Sequence, residues 1–247
     1  MDTNIRLLET LDDFQACIAL QRETWGAASR DLVPPAILQI TGKIGGVVAG
    51  AFDSDGTMLG CVYGITGWMD GEPCHWSHML AVSETHRNHG IGRDLKAFQR
   101  SKLESLDIPT IYWTYDPLVA RNAYLNLEKL GVRVVEYVPD MYGDDECSTT
   151  DSVIGSDRFV VRWDVKTGQP RGGRMARDET SHIRVEIPAD IQRLKQDAPD
   201  EARVWRATTR EALQSHLASG KRVTGFHRGS GPEPSYYTLT SNPPETD

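Results

Sequence analysis

The sequence predicts an α/β domain followed by a small α+β appendage, and three observations predict it. Strand and helix patterns alternate from Ile5 to Trp163. A glycine-bearing turn, Arg87-Asn-His-Gly90-Ile-Gly92-Arg93, joins an apolar strand to an amphipathic helix. A run of loop formers, Lys166-Thr-Gly-Gln-Pro-Arg-Gly-Gly173, then sets apart a shorter series of strands and helices. Residues 1–165 are therefore assigned to the first domain, 166–182 to a linker and 183–247 to the appendage. The appendage is too small to bury much core alone, so it is expected to pack on the first domain.

Each element has its own signal. Ile5–Leu8 reads as a strand, and Asp12 as the cap of a helix through Phe14, Cys17, Ile18 and Leu20 toward Trp25. Val47–Phe52 and Met58–Ile65 form a hairpin around Asp53-Ser-Asp-Gly56. Trp76–Val82 is a further strand. Gly90–Leu106 is a helix with Ile91, Leu95, Phe98, Leu103 and Leu106 on one face and polar residues on the other. Thr110–Tyr115 is a strand, and Val119–Leu130 a helix stopped by Gly131. Val132–Val138 and Phe159–Trp163 complete the first series. In the appendage, Ile183–Ile187, Arg222–His227 and Tyr236–Thr240 are strands, and Asp190–Gln196 and Asp200–Ala218 are helices.

Composition excludes several classes. The 247 residues carry a net charge of −8, which argues against a general nucleic-acid binder. No apolar window of ~18 residues predicts a membrane span, and the first residues lack the basic-then-apolar pattern of a secretory signal. Cys17, Cys61, Cys74 and Cys147 fit neither a zinc site nor a disulfide framework, which predicts reduced thiols in a cytoplasmic protein. His75 and His78 would point to opposite faces of a strand, so no metal site is expected. Trp68, Trp76 and Trp113 read as core. Seven acids and no Lys or Arg lie between Val134 and Asp157, a solvated loop or a lid attracting a cation.

The turn from Arg87 to Arg93 carries the chemistry. First-turn amides of a helix have no intrahelical partner, and the helix dipole favours an anion there. Gly90 and Gly92 let a phosphate approach the backbone, and Arg87 and Arg93 flank it. The pattern is neither a P-loop nor a dinucleotide fingerprint. A tight turn with a glycine cap is the plain alternative.

Val82 through Gly92 reads V-x(4)-R-x-x-G-x-G between a strand and a helix, and this resembles the GNAT superfamily of CoA-dependent N-acyltransferases. The runs Asn122-Ala-Tyr-Leu-Asn-Leu-Glu-Lys-Leu-Gly131 and Ser156-Asp-Arg-Phe-Val160 resemble a branch of it with a carboxyl-terminal extension. The resemblance implies a mixed, mostly antiparallel central sheet flanked by helices, with acetyl-CoA or another acyl-CoA as co-substrate and no metal. Backbone groups of Leu80, Ala81 and Val82 would pair with the pantetheine arm. Amides of Arg87, Asn88, His89, Gly90, Ile91, Gly92 and Arg93 would hold the pyrophosphate.

The resemblance further implies transfer of an acetyl or succinyl group to a primary amine of a small molecule, and homodimers are common in the family. His78 stands where the family often has a glutamate base, and is either that base or a hydrogen-bonded strand residue. Leu127 stands in the place of the usual tyrosine acid, and Ala120 replaces an asparagine. Tyr124, three residues before Leu127, is the nearest candidate acid, with core packing as its alternative. Asn126 is assigned to the cofactor site, although about 100° round the helix from Leu127. The rival reading is an acyl-CoA-binding regulatory protein without catalysis.

Overall fold

A computed structural model of the chain describes residues 3–26, 32–143, 154–167 and 182–241. Cys147, most of the linker and the middle of the acidic segment lie outside the described residues. Ten strands and six α-helices appear among those described. Seven strands follow the hydrogen-bonded order β1-β2-β3-β4-β5-β7-β6: β1 is Asn4–Leu7, β2 Val47–Phe52, β3 Met58–Met69, β4 Glu72–Val82, β5 Thr110–Tyr115, β6 Arg133–Val138 and β7 Arg158–Asp164. The β1–β2, β2–β3, β3–β4 and β6–β7 pairs are antiparallel, and β4–β5 is parallel. This is the mixed, mostly antiparallel sheet that the resemblance implies. Among the described residues, no helix is long and apolar enough to cross a membrane.

The chain divides into two compact units. The first runs from the amino terminus to Trp113 and takes in residues 163–167. Its first helix, α1 (Leu11–Trp25), is capped by Thr10 rather than Asp12. The Thr10 hydroxyl accepts from the Asp13 N–H, and the Asp13 carboxylate accepts from the Thr10 N–H, a reciprocal capping box. Arg6 grips the same carboxylate through both guanidinium nitrogens at 2.6 and 2.8 Å, and this holds Asp13 well below the usual carboxylate range. Helix α2 (Pro35–Lys43), which the sequence patterns did not reveal, starts on a proline at its first turn. Phe14, Cys17 and Ile18 of α1 pack with Leu38 of α2 on Val48, Cys61, Tyr63, Met79 and Ala81 of the sheet.

Helix α3 (Ile91–Glu104) buries Ile91, Leu95 and Leu103 as predicted, but also Lys96 and Gln99. Leu106 lies beyond the helix and is exposed, against expectation. Trp113 is buried, whereas Trp68, expected in the core, is 76% exposed near the β3–β4 hairpin end. The described cysteines, Cys17, Cys61 and Cys74, are free thiols.

The second unit holds residues 114–143, 154–162 and 182–241 among those described. Helix α4 (Ala120–Ala123) runs straight into a π-helical turn, Tyr124–Leu130, closed by Gly131 at φ 68°. Asn126 and Leu127, adjacent in this turn, are both buried. Strands β8 (Ile183–Ile187), β9 (Lys221–His227) and β10 (Ser235–Ser241) form a second sheet in the order β8-β10-β9. Helices α5 (Ile191–Asp197) and α6 (Pro199–Ala218) accompany it.

Helix α6 is fastened by ions inside this unit. Arg206 reaches Asp116 at 2.7 Å, with both side chains almost fully buried. Arg210 binds Asp157 and reaches Asp140 at 2.7 Å. Burial alone would raise the Asp157 carboxyl, but Arg210, the Tyr137 hydroxyl and the Asp140 N–H hold it below its usual range. The Tyr237 hydroxyl donates to the Pro117 carbonyl at 2.7 Å, and Glu128 accepts from the Phe226 N–H at 2.9 Å.

Removing one member of a buried ion pair leaves the other charge uncompensated. Arg206→Met is expected to lower unfolding stability by roughly 3–5 kcal/mol, and adding Asp116→Asn should recover part of that loss. Urea denaturation of both variants measures this.

Candidate active site

Strand β4 is paired on one edge along its whole length and on the other for only two residues. Its β3 edge is occupied from Glu72 opposite Met69 to Val82 opposite Gly60. Its β5 edge pairs His75 with Ile111 and Trp76 with Tyr112. Ser77 through Val82 run past β5 unpaired, which leaves an edge able to take an added strand.

A bulge marks the point of departure. Tyr63 faces Met79 and Gly64 faces Ser77, so His78 is the extra residue on β4. His78 is exposed, with its ring edge-on to Tyr63 at 5.9 Å between centroids. His75 is fully buried, so the two histidines face opposite ways as predicted, with the bulge at His78 between them.

The turn after β4 leads to α3 in the geometry the glycines require. The Ser83 N–H donates to the Leu59 carbonyl at 2.9 Å, and Glu84–His86 form a single 3₁₀ turn. Gly90 caps α3 at φ 89°, a left-handed conformation that favours glycine. It offers no side-chain cap, and the first α3 amide bonded back to it is that of Asp94, at 3.0 Å. The amides of Ile91, Gly92 and Arg93 precede that bond, the ordinary condition of a helix start. A Cβ on Gly92 would sit 3.7 Å from Leu80 and 3.8 Å from Val82, so the first turn lies directly over the end of β4.

Arg87 donates from Nε to the Val82 carbonyl at 3.3 Å and approaches Glu84 at 3.9 Å. Arg93 pairs with neighbouring Asp94 at 3.0 Å. Exposed pairs of this kind are worth about 0–1 kcal/mol, so an arriving phosphate can displace them. Asn88, at φ 68°, and His89 complete an exposed rim. Leu80, Ala81, Val82 and Arg87 to Arg93 are thus one continuous strand–turn–helix, with His78 upstream on the same strand.

Tyr124 and Asn126 belong to the second unit. The half-buried Tyr124 ring lies under Lys129 at 5.0 Å and Arg228 at 5.9 Å, and Asn126 is buried. Tyr142 shares a 3.0 Å hydrogen bond with Thr114.

Sequence reasoning missed a buried polar chain beneath β4. Lys96 Nζ donates to Ser77 Oγ at 2.7 Å and to Gln99 Oε1 at 3.3 Å, and lies 3.7 Å from the Trp113 ring centroid. Gln99 Nε2 meets His75 Nε2 at 3.1 Å, and His75 Nδ1 meets Thr66 Oγ1 at 3.0 Å. Gly64 makes room for this chain: a Cβ there would collide with the His75 ring and lie 2.7 Å from the Trp76 carbonyl oxygen. The signal available was the four-residue step Ile91-Leu95-Gln99-Leu103, which carries Gln99 onto the apolar face.

The sequence profile of the acetyltransferase (GNAT) family matches residues 14–127. No curated protein matches the sequence. Among solved structures, the ribosomal-protein-S18-alanine N-acetyltransferase from Escherichia coli aligns over 69% of this chain and 98% of its own, with TM-score 0.50 and 17% identity. A chain of the NatC complex bound to Gag peptide and CoA aligns over 66% and 98%, at 0.53 and 16%. Aminoglycoside 6'-acetyltransferase type Ii aligns over 66% and 97%, at 0.51 and 20%. Identities this low establish a shared fold. The family match runs from the first helix through the turn after β4 to the helix after β5.

Burial, with a smaller contribution from the Lys96 charge, pushes the His75 imidazole down to about 3. An unfolded histidine titrates near 6.5. The folded value is the lower one, so this contribution to stability is complete above about pH 6.5 and is lost as pH falls toward 3. Urea unfolding of His75→Gln should show a pH dependence shallower by one proton than wild type across that window.

Proposed function

We propose that the protein transfers an acetyl group, or a succinyl group in its place, from acyl-CoA directly to a primary amine of a small molecule. One observation carries this reading: β4 leaves β5 after Trp76 and runs six residues further, to Val82, ahead of the glycine-capped first turn of α3. An anion held at that turn anchors one end of an extended molecule. The free β4 edge then offers peptide groups to an amide-containing arm, as it would to an added strand. Pantetheine linked to a pyrophosphate has this combination of groups in this order.

The assigned roles follow. Arg87 to Arg93 hold the phosphates. The backbone of Leu80, Ala81 and Val82 pairs with the arm, and the thioester lies near the parting of β4 from β5. His78, exposed at the bulge, takes the proton from the acceptor ammonium, since imidazole titrates near neutrality. The acidic balance of the chain suits a small cationic amine as acceptor.

Gly90→Glu tests the reading, because it sets a carboxylate where the pyrophosphate is assigned. Calorimetry should detect acetyl-CoA or succinyl-CoA binding to wild type and none to the variant. A wild type that binds neither overturns the proposal. Binding without turnover across an amine panel favours the regulatory reading.

A further inference from the structure

Lys96 is buried in the first unit with hydrogen-bond partners but no carboxylate. Taking an ammonium out of water costs several kcal/mol unless other groups replace its hydration. Here the replacements are the Ser77 hydroxyl, the Gln99 amide oxygen and the face of Trp113, one for each of its three hydrogens.

The rest of the chain has a consistent direction. The Thr66 hydroxyl donates to the Gly45 carbonyl at 2.7 Å, so its oxygen is left to accept from His75 Nδ1–H. His75 Nε2 is then the acceptor, and the Gln99 amide nitrogen donates to it. That orientation turns the Gln99 oxygen toward Lys96. His75 is the titratable neighbour of Lys96 in this cluster, and the arrangement keeps it neutral.

Ser77 stands at the end of this chain. Its oxygen accepts from Lys96, and its own hydroxyl proton has no acceptor among the described residues. Ser77 also directly follows Trp76, the last β4 residue paired with β5. Its side chain is nearly buried, at 5% exposure. A hydroxyl polarised by an ammonium, with an unspent proton, therefore lies where the two strands part.

We propose that Ser77, backed by Lys96, donates the proton that the CoA thiolate takes up as it leaves. The inference rests on the reading that acyl-CoA lies along β4 with its thioester at the parting of the strands. As the amine nitrogen bonds to the acyl carbon, the carbon–sulfur bond breaks and sulfur takes the Ser77 proton. The Ser77 oxygen takes a proton from Lys96 Nζ along the existing hydrogen bond. Lys96 is left as a neutral amine and is reprotonated from water after product release, while the acceptor nitrogen loses two protons through His78 to water, one before it attacks and one as its bond to carbon forms. Burial pushes Lys96 well below the usual lysine range, which makes its ammonium a stronger acid toward a thiolate.

The test varies the leaving atom. Hydroxylamine serves as the acceptor, and acetyl-CoA is compared with its seleno analogue, whose selenolate is the weaker base and departs without a proton. Ser77→Ala should lower kcat on acetyl-CoA on the order of 10²-fold, the ordinary contribution of a general acid, with little change in KM. On the selenoester it should leave kcat near wild type. Lys96→Met should follow Ser77→Ala on both donors, and Ser77→Thr, which keeps the hydroxyl, should restore most of the acetyl-CoA rate. Equal losses on both donors, or no loss on acetyl-CoA, overturn the inference. Failure of wild type to bind acetyl-CoA in calorimetry overturns the underlying reading instead.

Discussion

The parting of β4 from β5 after two paired residues is the constraint on which the site depends. An unpaired strand edge inside a sheet exposes peptide groups that the native state must satisfy or use. The bulge at His78 sits at that point, and bulges re-aim side chains and end pairing. It turns His78 outward beside Tyr63, and it returns Met79 and Ala81 to the core under α1 and α2. One irregularity thus gives both a free backbone edge and an exposed imidazole beside it.

Helix α3 works at both ends of this strand. Its first turn lies over Leu80 and Val82, and Gly90 and Gly92 keep that turn free of side chains that would cover its amides. One turn further, Lys96 and Gln99 reach beneath β4 to Ser77 and His75. The glycine-capped first turn and the buried polar chain are therefore fixed by one rigid element. Such a placement suits a site whose groups need to hold their positions.

Much of this was legible in the residues. Asp53-Ser-Asp-Gly56 announced the β2–β3 hairpin, Gly131 ended its helix in the left-handed conformation, and Arg87 to Arg93 announced the glycine-capped turn into α3. Other features depend on partners distant in sequence. The bulge exists only against the register of β3. Helix α2 was hidden because Ile37, Ile40 and Ile44 form an exposed apolar stripe, the reverse of the usual pattern. Lys96 reads as a surface lysine until Trp113 and Ser77 come to meet it. The buried pairing of Arg206 with Asp116 spans 90 residues, and the charges alone read as a solvated helix face.

The central claim is that acyl-CoA is held by the free edge of β4 and the first turn of α3. Amide hydrogen exchange with and without CoA tests it most directly. Bound CoA is expected to slow exchange at residues 78–82 and at Gly90 to Arg93, with β2 unaffected. Binding that leaves those amides unprotected, or protects another part of the chain in their place, would contradict it.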